Sequence, residues 1–531
     1  MTVMKPAKYW WLVASLSLAC VGNEAPSGAT DGSGSTATTG QQEAETAGDG
    51  VDSTATSEGL EPFVPVPARQ IRIDRIDANQ GVGFDLVREG ELLEVTLPLL
   101  SRRPAMLRAM WEVDPQWSPR TIEGRLIMGL PDGSEWVRSS VLWIEGPRPD
   151  EALAPAFQWE VDAEHLSPGT EIAIELWEVE PGFEDLPEPD VPPRYPQTGA
   201  MELPIAPEHL EIELVLVPVH YQSPAEGGCA STVELDLPSL EQIFRFMEMQ
   251  LPFNSLDVSI RPVGITVENT EEIINRLWQL RLNDAPGPQV IYMGIYEDQC
   301  DVAHAQGEGF VPSTPPRMDE ANLRVGWTTY HPHSYIRTAY TLTHEVGHTL
   351  GRDHVTCSGN EANPDADYPF PDGNVGDAPG WGIYDGVWRD PRTHADFMTY
   401  CDPSWASRYA WDHSLPTIFR LSNWGAAEAP AAAADEVLAG FRRPGQAVHE
   451  WTRARIGVSK ARVSVGESAE FVDPTGDVES VSVFVWPVAD ASQELVIIPM
   501  PRSGVSSLVH RDGSNERRYS LADERFGPRA R

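Results

Sequence analysis

The sequence predicts a multidomain protein: an α/β domain on a mixed sheet, flanked on both sides by all-β, sandwich-like domains. Three observations carry this. Short apolar-rich runs separated by turns fill the chain from Phe63 to Pro181, strand and helix patterns alternate from about Leu210, and short strands return after about Val458. At 531 residues the chain is too long for one core, and its 41% apolar fraction can fill several.

In the first β region "RQIRIDRI" alternates polar and apolar residues. "AMLRAMWEV", "GRLIMGL", "EWVRSSVLWIE" and "TEIAIELWEVE" follow, with "PDGS" and "SPGT" as turns. This spacing predicts a sandwich-like domain over 61–181. The stretch "PGFEDLPEPDVPPRYPQTG" holds six prolines in nineteen residues, which predicts a stiff linker over 182–207.

The α/β domain is expected over 208–425. "LEIELVLVPV" reads as a strand. "SLEQIFRFMEMQL" reads as a helix with Leu240, Ile243, Phe244, Met247 and Leu251 on one face. "LDVSIRPV" is a second strand, and "NTEEIINRLWQLRL" a second helix, N-capped by Asn269. "PQVIYMGIY" is a third strand, and "SYIRTAYTLTHEVGHTLG" a third helix stopped by Gly351. An Ala-rich connector over 426–440 and a small β domain over 441–531 complete the chain.

Residues 1–20 join a short basic region to an apolar run from Tyr9 to Ala19 that is too short to span a membrane, which predicts an export signal. "SLAC" resembles a bacterial lipobox and makes Cys20 the candidate lipid attachment site, with ordinary signal cleavage nearby as the alternative. Residues 21–60 are rich in Gly, Ser, Thr, Ala and acid, cannot bury enough surface to order, and are expected to be a tether. The expected location is the cell surface or beyond, with membrane contact only through that lipid.

The formal charge is −41, from 80 acidic and 39 basic residues. Such a surface repels phosphate backbones and argues against a nucleic-acid partner.

The chemistry concentrates in "HEVGHTLGRDH", residues 344–354. Residues four apart share a helix face, so His344 and His348 can present two imidazoles to one ion. Glu345 is next round the helix, close to the ion without being aimed at it, as a general base requires. A glycine at 351 can end the helix in the left-handed conformation and let His354 approach off the helix axis. Three nitrogens leave one position open, the pattern of a catalytic zinc site.

HExxHxxGxxH is the signature of metzincin metalloproteases, which this sequence resembles over about residues 208–425. The family's second mark, a methionine in a tight turn beneath the metal, is matched by Met398 in "DFMTYC". Tyr400, two residues on, stands where astacin-like and serralysin-like members carry a tyrosine that steadies the transition-state oxyanion. The resemblance implies hydrolysis of peptide bonds in protein or glycoprotein substrates with one catalytic Zn2+. It also implies an edge strand that holds the substrate, here "GEGFVPS" (307–313) or "LRVGWTTY" (323–330). Departures are Val355 after the third histidine and a long insertion before Met398.

Five cysteines are present. With Cys20 lipidated or removed, four remain, which allow three pairings. Cys357 and Cys401 lie three residues past His354 and Met398, so a Cys357–Cys401 bridge would staple the metal centre and leave Cys229–Cys300 as the second. A latency thiol at Cys229 is the alternative role for that residue. The Asp-rich stretch "NPDADYPFPDGNVGD" offers oxygen ligands suited to Ca2+. A monomer is the expected state. The rival function is a surface binding or adhesion protein in which the protease module is accessory or inactive.

Overall fold

Burial that alternates strictly along residues 120–129 shows the force that organises the first part of the chain: one face of each strand turns inward and the other meets water. The computed structural model describes residues 63–521 except 96, 226, 358, 360–362, 425–435, 449, 459–460, 491–492, 501–504 and 513–514. The expected signal, Cys20, the tether and most of the Ala-rich connector lie outside the described residues. The residues described fall in one compact unit and are mostly β, with few helices and several sheets.

Two antiparallel sheets form the N-terminal part. One runs in the order 91–92, 83–88, 71–79, 105–113, 157–161, and the other in the order 66–67, 171–178, 120–129, 135–144. Ile76, Leu107, Ile122, Leu126, Trp159 and Ile174 fill a shared core. Within it Arg120 donates to both oxygens of Glu178 at 2.9 and 3.0 Å, the guanidinium stacked on Trp117. The expected linker over 182–207 needs correction, because Arg194–Tyr195 and Met201–Glu202 pair with 171–178, and Ile205–Ala206 pairs with Leu99–Leu100. Met201, Leu203 and Ile205 alternate and bury their side chains in the core, a signal masked by the prolines before them.

The central sheet is built from strands β1 (Glu211–Gln222), β2 (Ser255–Ile260), β3 (Ile291–Tyr296), β4 (Gly307–Phe310) and β5 (Val325–Thr329). β2, β1, β3 and β5 run parallel, and β4 runs antiparallel on the outer side of β5. Helices α1 (Leu237–Gln250) and α3 (Tyr335–Thr349) contribute to a core on one face, and α2 (Ile273–Asp284) to a core on the other. α1 starts where Asp236 accepts from Ser239 N at 3.0 Å, and it buries Leu240, Ile243, Phe244 and Met247. Asn269 caps a short 3₁₀ turn that leads into α2, rather than α2 itself. Helix α4 (Arg408–Ser422), unforeseen from the sequence, is capped by Ser407 and buries Trp411, Ile418 and Leu421.

The expected independent C-terminal domain also needs correction. Strands β6 (Glu436–Arg442), β7 (Thr452–Arg455), β8 (Phe484–Ala489) and β9 (Glu494–Pro499) extend the central sheet, in the order β5-β4-β8-β9-β6-β7. The border expected at 440 falls inside β6. Burial explains the difference: Val437, Phe441, Trp486, Val488 and Ile497 share the α2-side core with Phe310. Leu438, Val496 and Ile498 face a second core under the antiparallel sheet of 467–472, 478–481, 507–512 and 515–520. A run such as "LVII", buried on both faces, marks an interior strand.

One side chain ties the N-terminal part to the central domain. Arg103 is fully buried and donates to the carbonyls of Gln80 (2.8 Å), Phe253 (2.7 Å), Leu251 (3.2 Å) and Glu248. Burial lowers its pKa to about 10, so it stays charged at neutral pH. Beside it, Asn79 donates to Pro379 O at 2.6 Å and Trp405 Nε1 to Gly81 O at 2.7 Å. Replacing Arg103 by Met should strand these carbonyls and lower unfolding stability by roughly 3–5 kcal/mol, since each buried acceptor left without a donor costs about 1–3 kcal/mol. Equilibrium denaturation would measure it, and a loss below about 1 kcal/mol would contradict this account.

Candidate metal centre

Helix α3 carries the site. Thr338, Ala339, Leu342 and Val346 turn into the core, which fixes its rotation and brings His344 and His348 one above the other. The helix ends at Gly351, whose φ of +88° is a left-handed backbone that suits glycine, and Gly351 N donates to His348 O at 2.7 Å. The chain then turns back and delivers His354.

Backbone carbonyls orient two of the rings. His344 Nδ1 lies 2.9 Å from Phe397 O and His348 Nδ1 2.8 Å from Arg352 O. A carbonyl can only accept, so each Nδ1 carries a proton and Nε2 is the atom a neutral ring offers to a metal. The Nε2 atoms converge: that of His348 stands 3.1 Å from His354 Nε2. His344 Nε2 is buried and makes no hydrogen bond.

A fourth donor completes the group. Asp490 places one carboxylate oxygen 3.4 Å from His344 Nε2 and 3.3 Å from His348 Nε2, and the other 3.0 Å from His354 Nε2. Ligand atoms arranged tetrahedrally about 2.0–2.1 Å from zinc lie about 3.3 Å apart, so these spacings fit one divalent cation. Among the described residues this is the one cluster of three or more His, Cys, Asp or Glu side chains close enough to share an ion. The Asp-rich stretch expected to suit calcium makes no such cluster; its Asp365 accepts instead from Arg352 at 3.0 Å and Tyr409 at 2.9 Å.

Burial sets the protonation states. It lowers the pKa of His348 to about 4, which keeps that imidazole neutral and able to ligate at pH 7. Glu345, fully buried, is pushed well up by burial, then by the Asp490 and Glu308 carboxylates, and its Oε2 has no hydrogen-bond partner. Burial works to raise Asp490 too, but the three imidazoles outweigh it and hold that carboxyl well below its ordinary range.

Beneath the rings lies the methionine turn. Asp396 accepts from Met398 N at 2.9 Å and Ser407 N at 3.1 Å, which closes the turn and puts Met398 fully inside. Gly347 permits this approach, since a Cβ there would meet Met398 Sδ at 2.5 Å. Tyr400 is about half exposed, with its hydroxyl 3.2 Å from His354 Nε2 and donating to Asp490. A cavity of about 480 Å³ opens beside the centre, lined by His344, Glu345, Tyr340, Thr399, Tyr400 and Asp490.

The structure joins Cys357 to Cys401 and Cys229 to Cys300, so Cys229 is no free thiol aimed at the metal. Neither candidate substrate strand is the expected edge: 325–329 lies between β3 and β4, and 307–310 lies between β5 and β8. Sequence inspection missed Asp490. It lies 136 residues beyond His354 (490 − 354), and no local motif marks it.

No family model matches this chain, and no curated protein matches it. Among solved structures, metalloproteinase-II from Bacteroides fragilis is 13% identical, with 48% of this chain and 75% of that one covered, at a TM-score of 0.19. At that TM-score the likeness carries no argument, and the geometry above stands alone.

The Cys357–Cys401 bridge closes a 44-residue separation, worth about 4 kcal/mol in the chain-entropy treatment of the unfolded state. A Cys357→Ser, Cys401→Ser variant should lose stability of that order and, once loaded with a divalent metal, release it to a chelator faster than the parent. Thermal unfolding and chelator-trapped release rates test this, and unchanged release would separate the staple from the metal centre.

Proposed function

We propose that this chain is an exported zinc-dependent endopeptidase of the metzincin type, acting on protein or glycoprotein substrates. One observation carries the proposal: three imidazole Nε2 atoms converge at the edge of a cavity, with an unpartnered, buried carboxylate from the same helix beside them. When bound by His344, His348 and His354, zinc supplies a Lewis acid that polarises a carbonyl and acidifies water.

The chain's own groups do the rest. Glu345 takes the proton of the attacking water at Oε2 and hands it to the departing amine. Its upward-shifted pKa, caused first by burial, suits a group that must hold that proton for part of the cycle. Tyr400, with its hydroxyl beside His354, donates to the oxygen on which negative charge develops. Met398 and the carbonyls of Phe397 and Arg352 keep the imidazoles in place. The two disulfides fit an oxidising compartment outside the cytosol, and among the described residues no helix is long and apolar enough to cross a membrane.

The deciding experiment is chelator-sensitive cleavage of casein. Glu345→Ala should retain one zinc per chain by elemental analysis and lose activity by a factor on the order of 10³, the usual contribution of a positioned general base. Cleavage at the parent rate by that variant, or a parent that takes up no zinc, would retire the proposal.

A further inference from the structure

β8 covers the outer side of β4, and the Asp490 carboxylate at its end faces the three imidazoles. β8 adds to the free side of β4 in antiparallel register, with Ala489 opposite Gly309 and Val488 opposite Phe310. An extended segment that borrows a sheet edge uses the same backbone hydrogen bonds. At the end of β8 the backbone of Asp490 turns left-handed, with φ of +60°, and the side chain reaches all three imidazoles. Two cavities flank this crossing. One of about 480 Å³ is lined by Glu345 and Tyr400, and one of about 280 Å³ by His348, His354, Trp486 and Ala489.

We propose that residues 484–490 are a built-in inhibitory segment: β8 takes the substrate's place on β4, and the Asp490 carboxylate takes the coordination position that catalysis needs open. This rests on the endopeptidase reading for its consequence, but its coordination half stands by itself. The segment is no loose tail. Trp486 and Val488 are buried in the core with Phe310 and Phe441, and β8 is paired on its other side by β9. The Tyr400 hydroxyl, proposed to serve the oxyanion, is tied to Asp490 as well. Displacing one short strand end would therefore free the metal position, the oxyanion donor and the sheet edge together. The substrate class that fits the vacated edge is an extended, unfolded polypeptide running antiparallel to β4.

Cobalt-loaded full-length protein offers a readout independent of turnover. Visible absorption would be followed during titration with acetohydroxamate, in the parent, Asp490→Ala and Asp490→Asn. The expected result is acetohydroxamate binding at least about tenfold tighter in Asp490→Ala, a difference of ~1.4 kcal/mol, with a changed cobalt spectrum before any addition. Asp490→Asn, which keeps the side-chain shape and a weaker oxygen donor, should move the same way by less. Casein cleavage by the zinc forms should rise at least about tenfold in Asp490→Ala and fall by a factor on the order of 10³ when Glu345→Ala is added. If Asp490→Ala gains acetohydroxamate binding but cleaves nothing, the coordination proposal survives and the endopeptidase reading fails. Identical spectra and affinities in the parent and both variants would overturn the proposal.

Discussion

Three imidazole Nε2 atoms and a carboxylate turned toward one point make a site for a cation. His344, His348 and His354 are held in that arrangement by groups that do not yield: two backbone carbonyls fix tautomers, a helix fixes spacing, and a left-handed glycine fixes the return of the third ring. The surroundings can be understood as what that requirement demands. Gly347 exists where a side chain would push the methionine turn away, and Asp396 clamps that turn from within.

The same demand explains why so much β structure surrounds one short helix. Packing on the N-terminal side, through Arg103, Asn79 and Trp405, braces α1 and the segments that lead to the methionine turn. Packing on the C-terminal side continues the central sheet outward from β4, so the cleft wall and the C-terminal strands are one hydrogen-bonded surface. Rigidity is supplied from both flanks, and the cleft lies where the flanks meet the helix.

What could be read from the sequence was whatever is local. The 3.6-residue period of α1, the alternation of 120–129 and the His344–His354 spacing each depend on neighbours a few residues away, and the structure places those elements accordingly. Long-range partnerships were hidden. The strands after Pro196 lay behind a proline count, and β6 lay behind an Ala-rich prefix. Asp490 came from a strand whose only clue is an apolar run. The pairing of Cys357 with Cys401 lies between, since it could be preferred only because both residues flank pieces already assigned to one centre.

The staple between Cys357 and Cys401 has a consequence for the producing cell. Inside a reducing cytoplasm both sulfurs stay as thiols, and the arm bearing His354 is not fastened to the turn bearing Met398. The centre is then held by its packing alone, whereas an oxidising compartment adds a covalent tie between the two arms.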